Sequence, residues 1–157
     1  MVREIVNIQI GECGNRIGSA FWRTISDEQS IDWDGTDLAI NEDDFTIKYG
    51  KMFYNETKEG KYFPRAISIG LDSEKMDQIY TGKDKIIYEF TYNNNFGHLN
   101  SSNTFSKGYY QYGKEYGQTY LEYIRKEIEN CDSFQGFKIT HSQEGGSGSG
   151  LTSYIID

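Results

Sequence analysis

An alternating run of apolar residues, Ile5-Val6-Asn7-Ile8-Gln9-Ile10, passes directly into Gly11-Glu12-Cys13-Gly14-Asn15-Arg16-Ile17-Gly18. Val6, Ile8 and Ile10 share one face of an extended segment, and this two-residue period predicts a β-strand. The glycines that follow predict a tight turn that opens a helix. Apolar residues then recur every four positions, which predicts an inward-facing stripe. The stripe consists of Cys13, Ile17, Phe21 and Ile25.

A second glycine-rich turn, Gly145-Gly146-Ser147-Gly148-Ser149-Gly150, follows a predicted strand at 134–140. Backbone without Cβ atoms can approach a ligand closely, and its N–H groups can hold an anion at a helix N-terminus. Parallel strands end at one edge of a sheet, so we expect both turns to lie at that edge and to suit a nucleotide. Neither turn matches a Walker loop or a dinucleotide fingerprint, so a flexible turn without a ligand remains an alternative for 11–18.

The rest of the chain completes an α/β pattern. A strand is predicted at 67–71 and a helix from Ser73, whereas Asn93-Asn94-Asn95 predicts a loop. Residues 107–130 have the apolar spacing of a helix. We expect its stripe to pack on the core rather than to form a platform for stacking ligands. The stripe consists of Tyr112, Tyr116, Tyr120, Ile124 and Ile128. Strands alternating with helices predict a three-layer, Rossmann-like fold with a mainly parallel sheet.

Composition excludes several classes of protein. The 157 residues favour one domain, and the net charge of −8 argues against binding of nucleic acid or anionic membranes. No run of about 18 apolar residues predicts a membrane span, and the first residues do not resemble a signal peptide. Only two cysteines and two histidines are present, which disfavours a soft-metal site. Cys13 lies on the apolar stripe, so we expect a buried thiol.

Both glycine-rich turns resemble those of tubulins. Residues 11–18, with Phe21-Trp22 after them, resemble the first turn and helix of that family, and 145–150 resembles its Gly-Gly-Thr-Gly-Ser-Gly loop. Segments such as Tyr54-Asn55-Glu56 and Pro64-Arg65-Ala66 are more similar to β than to α chains. The resemblance covers residues 1–157 and implies the N-terminal part of the GTP-binding domain of a divergent β-tubulin, truncated at its C-terminal side.

The resemblance implies a site for GTP and Mg²⁺. Glu12 would lie beside the phosphates and Mg²⁺, Asp72 would approach Mg²⁺ through water, and Asn103 would belong to a loop that senses the γ-phosphate. The implied cofactor-binding residues are Glu12, Cys13, Asp72, Asn103, Ser142, Gly145, Gly146, Ser147 and Gly148. No catalytic residue is implied, because hydrolysis in tubulin is completed by an acidic residue of the next subunit.

The chain departs from the family at four positions, three of them among these residues and the fourth, Glu144, beside them. Asp72 replaces glutamate and Ser147 replaces threonine, and both changes keep the chemistry. Glu12 stands where the family has glutamine and Glu144 where it has glycine, which places extra carboxylates near a triphosphate. At roughly 4 Å, like charges repel by about 4 kcal/mol at an effective dielectric constant of about 20. Mg²⁺ or Arg16 would offset this repulsion. Arg16 stands where the family has glutamine.

The implied function is a GTP-binding structural subunit that pairs with α-tubulin in microtubules, in the cytoplasm and cytoskeleton. GTP hydrolysis would require contact within the polymer. One alternative is a truncated paralogue or isolated nucleotide-binding module that does not polymerise. A dinucleotide-dependent enzyme is disfavoured, because an acidic ribose-binding residue about 20 positions after a fingerprint cannot be placed.

The two extra carboxylates predict weakened GTP affinity. Replacing Glu12 with glutamine should therefore strengthen GTP binding, as measured by equilibrium titration of wild type and Glu12→Gln. Tight binding that is unaffected by the substitution would contradict this prediction.

Overall fold

The computed structural model describes residues 3–38, 51–79, 92–95 and 104–157. The strands are β1 (Glu4–Ile10), β2 (Tyr54–Glu56), β3 (Tyr62–Pro64), β4 (Ala66–Gly70), β5 (Tyr92–Asn95) and β6 (Phe134–Thr140). The helices are α1 (Gly11–Glu28), α2 (Ser73–Ile79), α3 (Lys114–Glu129) and α4 (Thr152–Ile156). A first π-helical segment, Lys107–Gly113, leads into α3, and a second, Gly146–Leu151, leads into α4. Within these described ranges, no helix is both long enough and apolar enough to cross a membrane.

Four parallel strands form the main sheet, in the order β5-β4-β1-β6. The predicted first strand is central, because β1 pairs with β4 on one side and with β6 on the other. Strands β2 and β3 form a separate antiparallel pair. Parallel strands need crossover connections, and helices supply them here. The predicted α/β fold with a mainly parallel sheet is confirmed.

One face of the sheet carries an apolar core. Val6, Ile8 and Ile10 of β1 are almost completely buried in it, as the two-residue period predicted. Helix α3 covers this face with Tyr120 and Ile124. The tyrosine stripe is therefore core rather than a stacking platform, as predicted.

The opposite face packs against α1, and here the predicted stripe is wrong in its first half. Cys13 is exposed and Ile17 is 53% exposed, whereas Phe21 and Ile25 are half-buried against a second apolar cluster around Trp22. The face of α1 that packs on the sheet is small and partly polar. Its buried residues are Gly11, Gly14, Asn15, Gly18, Ser19, Trp22 and Ser26.

Two glycines explain this orientation of α1. A Cβ on Gly14 would overlap the carbonyl oxygen of Thr140 in β6, and a Cβ on Gly18 would overlap the side chain of Gln9 in β1. The helix backbone therefore lies directly on the sheet, which no apolar stripe with full side chains would permit. Apolar periodicity does not reveal this face, because glycine has no apolar side chain.

The predicted loop at Asn93-Asn94-Asn95 is also wrong. These residues form most of β5, which pairs in parallel with β4 from Ile67–Tyr92 to Gly70–Asn95. Asparagine is depleted in strands, but strand propensity depends strongly on context and edge positions tolerate it. Pairing with the buried strand β4 overrides the local preference.

Gly14→Ala should lower the free energy of unfolding by about 1–3 kcal/mol, because the methyl group must displace α1 from the sheet. Urea unfolding followed by circular dichroism measures this change. Gly136→Ala in β6 is the matched control, since a Cβ there meets nothing within 4 Å, and its unfolding midpoint should be unchanged or raised. A Gly14→Ala chain as stable as wild type would contradict the close packing of α1.

Candidate functional site

A cavity of about 520 Å³ lies at the carboxyl edge of the sheet, where β1, β4 and β6 end. Its walls come from three segments, 11–17 at the start of α1, 70–76 around the start of α2, and 142–148 after β6. The two glycine-rich turns contact each other, since a Cβ on Gly11 would lie 3.2 Å from the backbone nitrogen of Gly148. The turns therefore share one edge of the sheet, as expected from the sequence.

Eight of the nine predicted site residues line this cavity. Asn103 lies outside the described residues. The eight are Glu12, Cys13, Asp72, Ser142, Gly145, Gly146, Ser147 and Gly148. Cys13 is exposed within this wall, so the expectation of a buried thiol is wrong: the close packing of Gly14 turns Cys13 away from the sheet.

The second turn has a backbone that favours glycine. Gly145 adopts φ +87°, a left-handed conformation that L side chains rarely adopt, and the second π-helical segment begins at the next residue. A Cβ on Gly148 would overlap the Oγ of Ser142. The Ser142 hydroxyl donates to the carbonyl oxygen of Glu144 at 2.7 Å, and the Ser149 hydroxyl donates to that of Gly145. Hydrogen bonds within the turn thus fix its shape before any ligand arrives.

The first π-helical segment supports this turn from behind. A Cβ on Gly108 would overlap the carbonyl oxygen of Gly146, and a Cβ on Gly150 would lie 3.0 Å from the Cα of Gly108. The two backbones are therefore in direct contact. The start of the second π-helical segment lines the cavity, and the first N–H groups of a helix have no partner within it.

Asn15 connects this edge of the sheet to α1, and the sequence analysis gave it no role. Its side chain is completely buried, and Nδ2 lies 2.8 Å from the carbonyl oxygen of Gly11 and 3.1 Å from that of Ile69 in β4. Its Oδ1 accepts a hydrogen bond from Ser68 Oγ at 2.5 Å. The sequence feature that could have indicated this role is an asparagine within a predicted helix, because asparagine has a low helix propensity. Asn15 is a positioning residue, because it fixes the first turn of α1 against β4.

An ion pair within α1 forms part of the cavity wall. Arg16 Nη2 lies 3.0 Å and Nε lies 3.2 Å from Glu12 Oε1, one helical turn away. Asp72 and Glu144 also line the wall, so three carboxylates and one guanidinium surround the space. Arg16 was not among the predicted site residues, although its spacing of four from Glu12 placed both on one helix face.

The fold and site together define a Rossmann-like α/β domain with a cavity between two glycine-rich turns at the carboxyl edge of its sheet. Residues 4–157 match the family model described as the Tubulin/FtsZ family, GTPase domain. The chain is also 41% identical over 155 residues to the tubulin beta-4B chain of Mesocricetus auratus, covering 99% of this chain and 52% of that protein. The chain belongs to the Tubulin/FtsZ family, which confirms the resemblance seen in its glycine-rich turns. It spans about half the length of the curated relative it matches.

Asn15→Ala should lower the free energy of unfolding by about 1–3 kcal/mol, because buried carbonyl groups on α1 and β4 lose a donor. Thermal and urea unfolding measure the loss. Thr24→Ala is the control on the same helix, since its exposed hydroxyl donates only to Ala20 within α1, and it should change stability by about 0.5 kcal/mol or less. Equal stability of the two variants would show that Asn15 does not anchor α1.

Proposed function

We propose that this chain is a β-tubulin-like, GTP-binding structural subunit that pairs with α-tubulin in microtubules, in the cytoplasm and cytoskeleton. In this proposal, residues 1–157 are the N-terminal part of the GTP-binding domain. The observation that carries it is the meeting of two glycine-rich helix starts, at Gly11 and Gly146, in one cavity. A polyphosphate needs several convergent N–H donors, and two helix N-termini supply them together.

The proposed contacts divide the cavity wall between backbone and side chains. Backbone N–H groups of Gly145, Gly146, Ser147 and Gly148 would hold phosphate oxygens, with the hydroxyls of Ser142 and Ser147 beside them. Glu12 and Cys13 would line the side formed by α1. Asn103 would also contact the nucleotide, and only the family resemblance supports this part of the proposal.

Magnesium fits this wall as an ion carried by the nucleotide. Among the residues that the structure describes, no group of three or more metal-ligating side chains could hold a metal ion. Mg²⁺ needs no such cage, because one or two carboxylates and the substrate phosphates commonly bind it. Asp72 lies on the wall after β4 and would hold the ion through water. The bound ion would neutralise phosphate charge next to the carboxylates of the cavity.

Polymer contact would complete the site for hydrolysis. The proposal assigns no catalytic residue to this chain, since an acidic group of the next subunit would act on the bound GTP. Support for the pairing comes from the 41% identity to a tubulin beta chain.

Isothermal titration should show binding of GTP with Mg²⁺ and none of ATP or NAD at equal concentrations. Asp72→Asn should weaken Mg²⁺–GTP binding about tenfold, because a carboxylate near the ion is lost, and should leave binding of GTP in EDTA almost unchanged. Glu129→Gln, on the exposed side of α3, is the control and should bind as wild type. Absence of heat with Mg²⁺–GTP would refute the proposed ligand.

Polymerisation distinguishes the structural subunit from a nucleotide-binding module that does not assemble. Both bind GTP, but only the subunit co-sediments with microtubules assembled from α- and β-tubulin. Binding of GTP without co-sedimentation would favour the isolated module.

A further inference from the structure

The Glu12–Arg16 pair lies where a charged side chain has the greatest effect on an anion site. Glu12 is in the first turn of α1, which lines the cavity, and the first N–H groups of a helix have no partner within it. The positive end of a helix dipole attracts a carboxylate as it attracts a phosphate. Helical Cα–Cβ bonds also tilt toward the N-terminus, so an unrestrained Glu12 side chain would lean toward those N–H groups. Glu12 is thus an internal competitor for the anion site.

Arg16 holds the Glu12 carboxylate in the opposite direction. Its guanidinium donates twice to one oxygen, Oε1, from a position one turn further along α1. The pair therefore draws the carboxylate away from the helix start and neutralises its charge. Both side chains are about half exposed, at 57% for Arg16 and 42% for Glu12, so the pair can form and break without disturbing the core.

We propose that Arg16 is a positioning residue that keeps the N-terminus of α1 open to the phosphates of a nucleotide by restraining Glu12. This inference rests on the proposed function and deepens it, because it specifies how the site controls its own affinity. Arg16 acts through Glu12 and needs no contact with the ligand.

A double-mutant cycle on the full chain tests the coupling, with Mg²⁺–GTP as the titrated probe. Arg16→Gln should raise the Kd about tenfold, because Glu12 loses the guanidinium that neutralises it and draws it away from the helix start. Glu12→Gln/Arg16→Gln should return the Kd to within about threefold of wild type. Glu12→Gln alone should lower the Kd by a smaller factor than it does in the Arg16→Gln background. Arg16→Lys, which keeps the charge, should recover most of the affinity.

Arg125→Gln is the matched control. Arg125 also forms exposed ion pairs along a helix, with Glu122 and Glu129 on α3, but it does not line the cavity. Its loss should leave the Kd unchanged. Melting temperatures close to that of wild type in all variants would show that the Kd values report binding rather than unfolding.

Each other outcome has a distinct meaning. Equal weakening in Arg16→Gln and in the double variant would show that Arg16 binds the nucleotide directly, which overturns the positioning role. An unchanged Kd in Arg16→Gln overturns it as well. Absence of Mg²⁺–GTP binding by wild type would overturn the proposed function and this inference with it, whereas wild-type binding without Glu12–Arg16 coupling overturns the inference alone.

Discussion

The backbone of α1 rests directly on the carboxyl edge of the sheet, and the geometry of the cavity depends on that contact. Gly14 leaves no space between the helix and the carbonyl oxygen of Thr140. Asn15 then links the first turn of α1 to β4 through its buried amide. Its Nδ2 lies 2.8 Å from the carbonyl oxygen of Gly11 and 3.1 Å from that of Ile69. A helix that stood further from the sheet would carry its N-terminus away from the second glycine-rich turn, and the two sets of N–H groups would no longer face one space.

The two faces of the sheet differ in the polarity of the side chains that they bury. The face under α3 is apolar, with Ile8 and Tyr120 almost completely buried, and burial of such side chains is the main source of folding free energy. The face under α1 buries, beside the apolar cluster around Trp22, several polar side chains, among them Gln9, Asn15 and Ser68. Buried polar groups are tolerated where they are hydrogen-bonded, and Asn15 and Ser68 bond to each other. The apolar face thus stabilises a fold whose other face is built for positioning.

Sequence patterns predicted the parts of this molecule that apolar spacing determines. The β1 face, the tyrosine-bearing helix and the two turns at one sheet edge all follow from periodicity and from the order of strands and helices. The packing face of α1 did not, because Gly14 and Gly18 act through the absence of a side chain. Strand β5 was missed because pairing with β4, a long-range interaction, decides its conformation. Arg16 was expected to offset the carboxylate charge but was not among the predicted site residues, because its contact is with another wall residue, Glu12, and not with a ligand.

Charge in the cavity wall poses a problem that backbone geometry alone cannot solve. Amide dipoles attract an anion at short range, while the carboxylates of Glu12, Asp72 and Glu144 repel it from the same wall. A polyphosphate can bind there only where countercharge accompanies it or where the carboxylates are restrained. In our proposals, Mg²⁺ beside Asp72 would supply the countercharge, and the Arg16 guanidinium would restrain Glu12. Under the proposed function, the affinity for a polyphosphate would therefore depend as much on what neutralises these carboxylates as on the glycine-rich turns that shape the cavity.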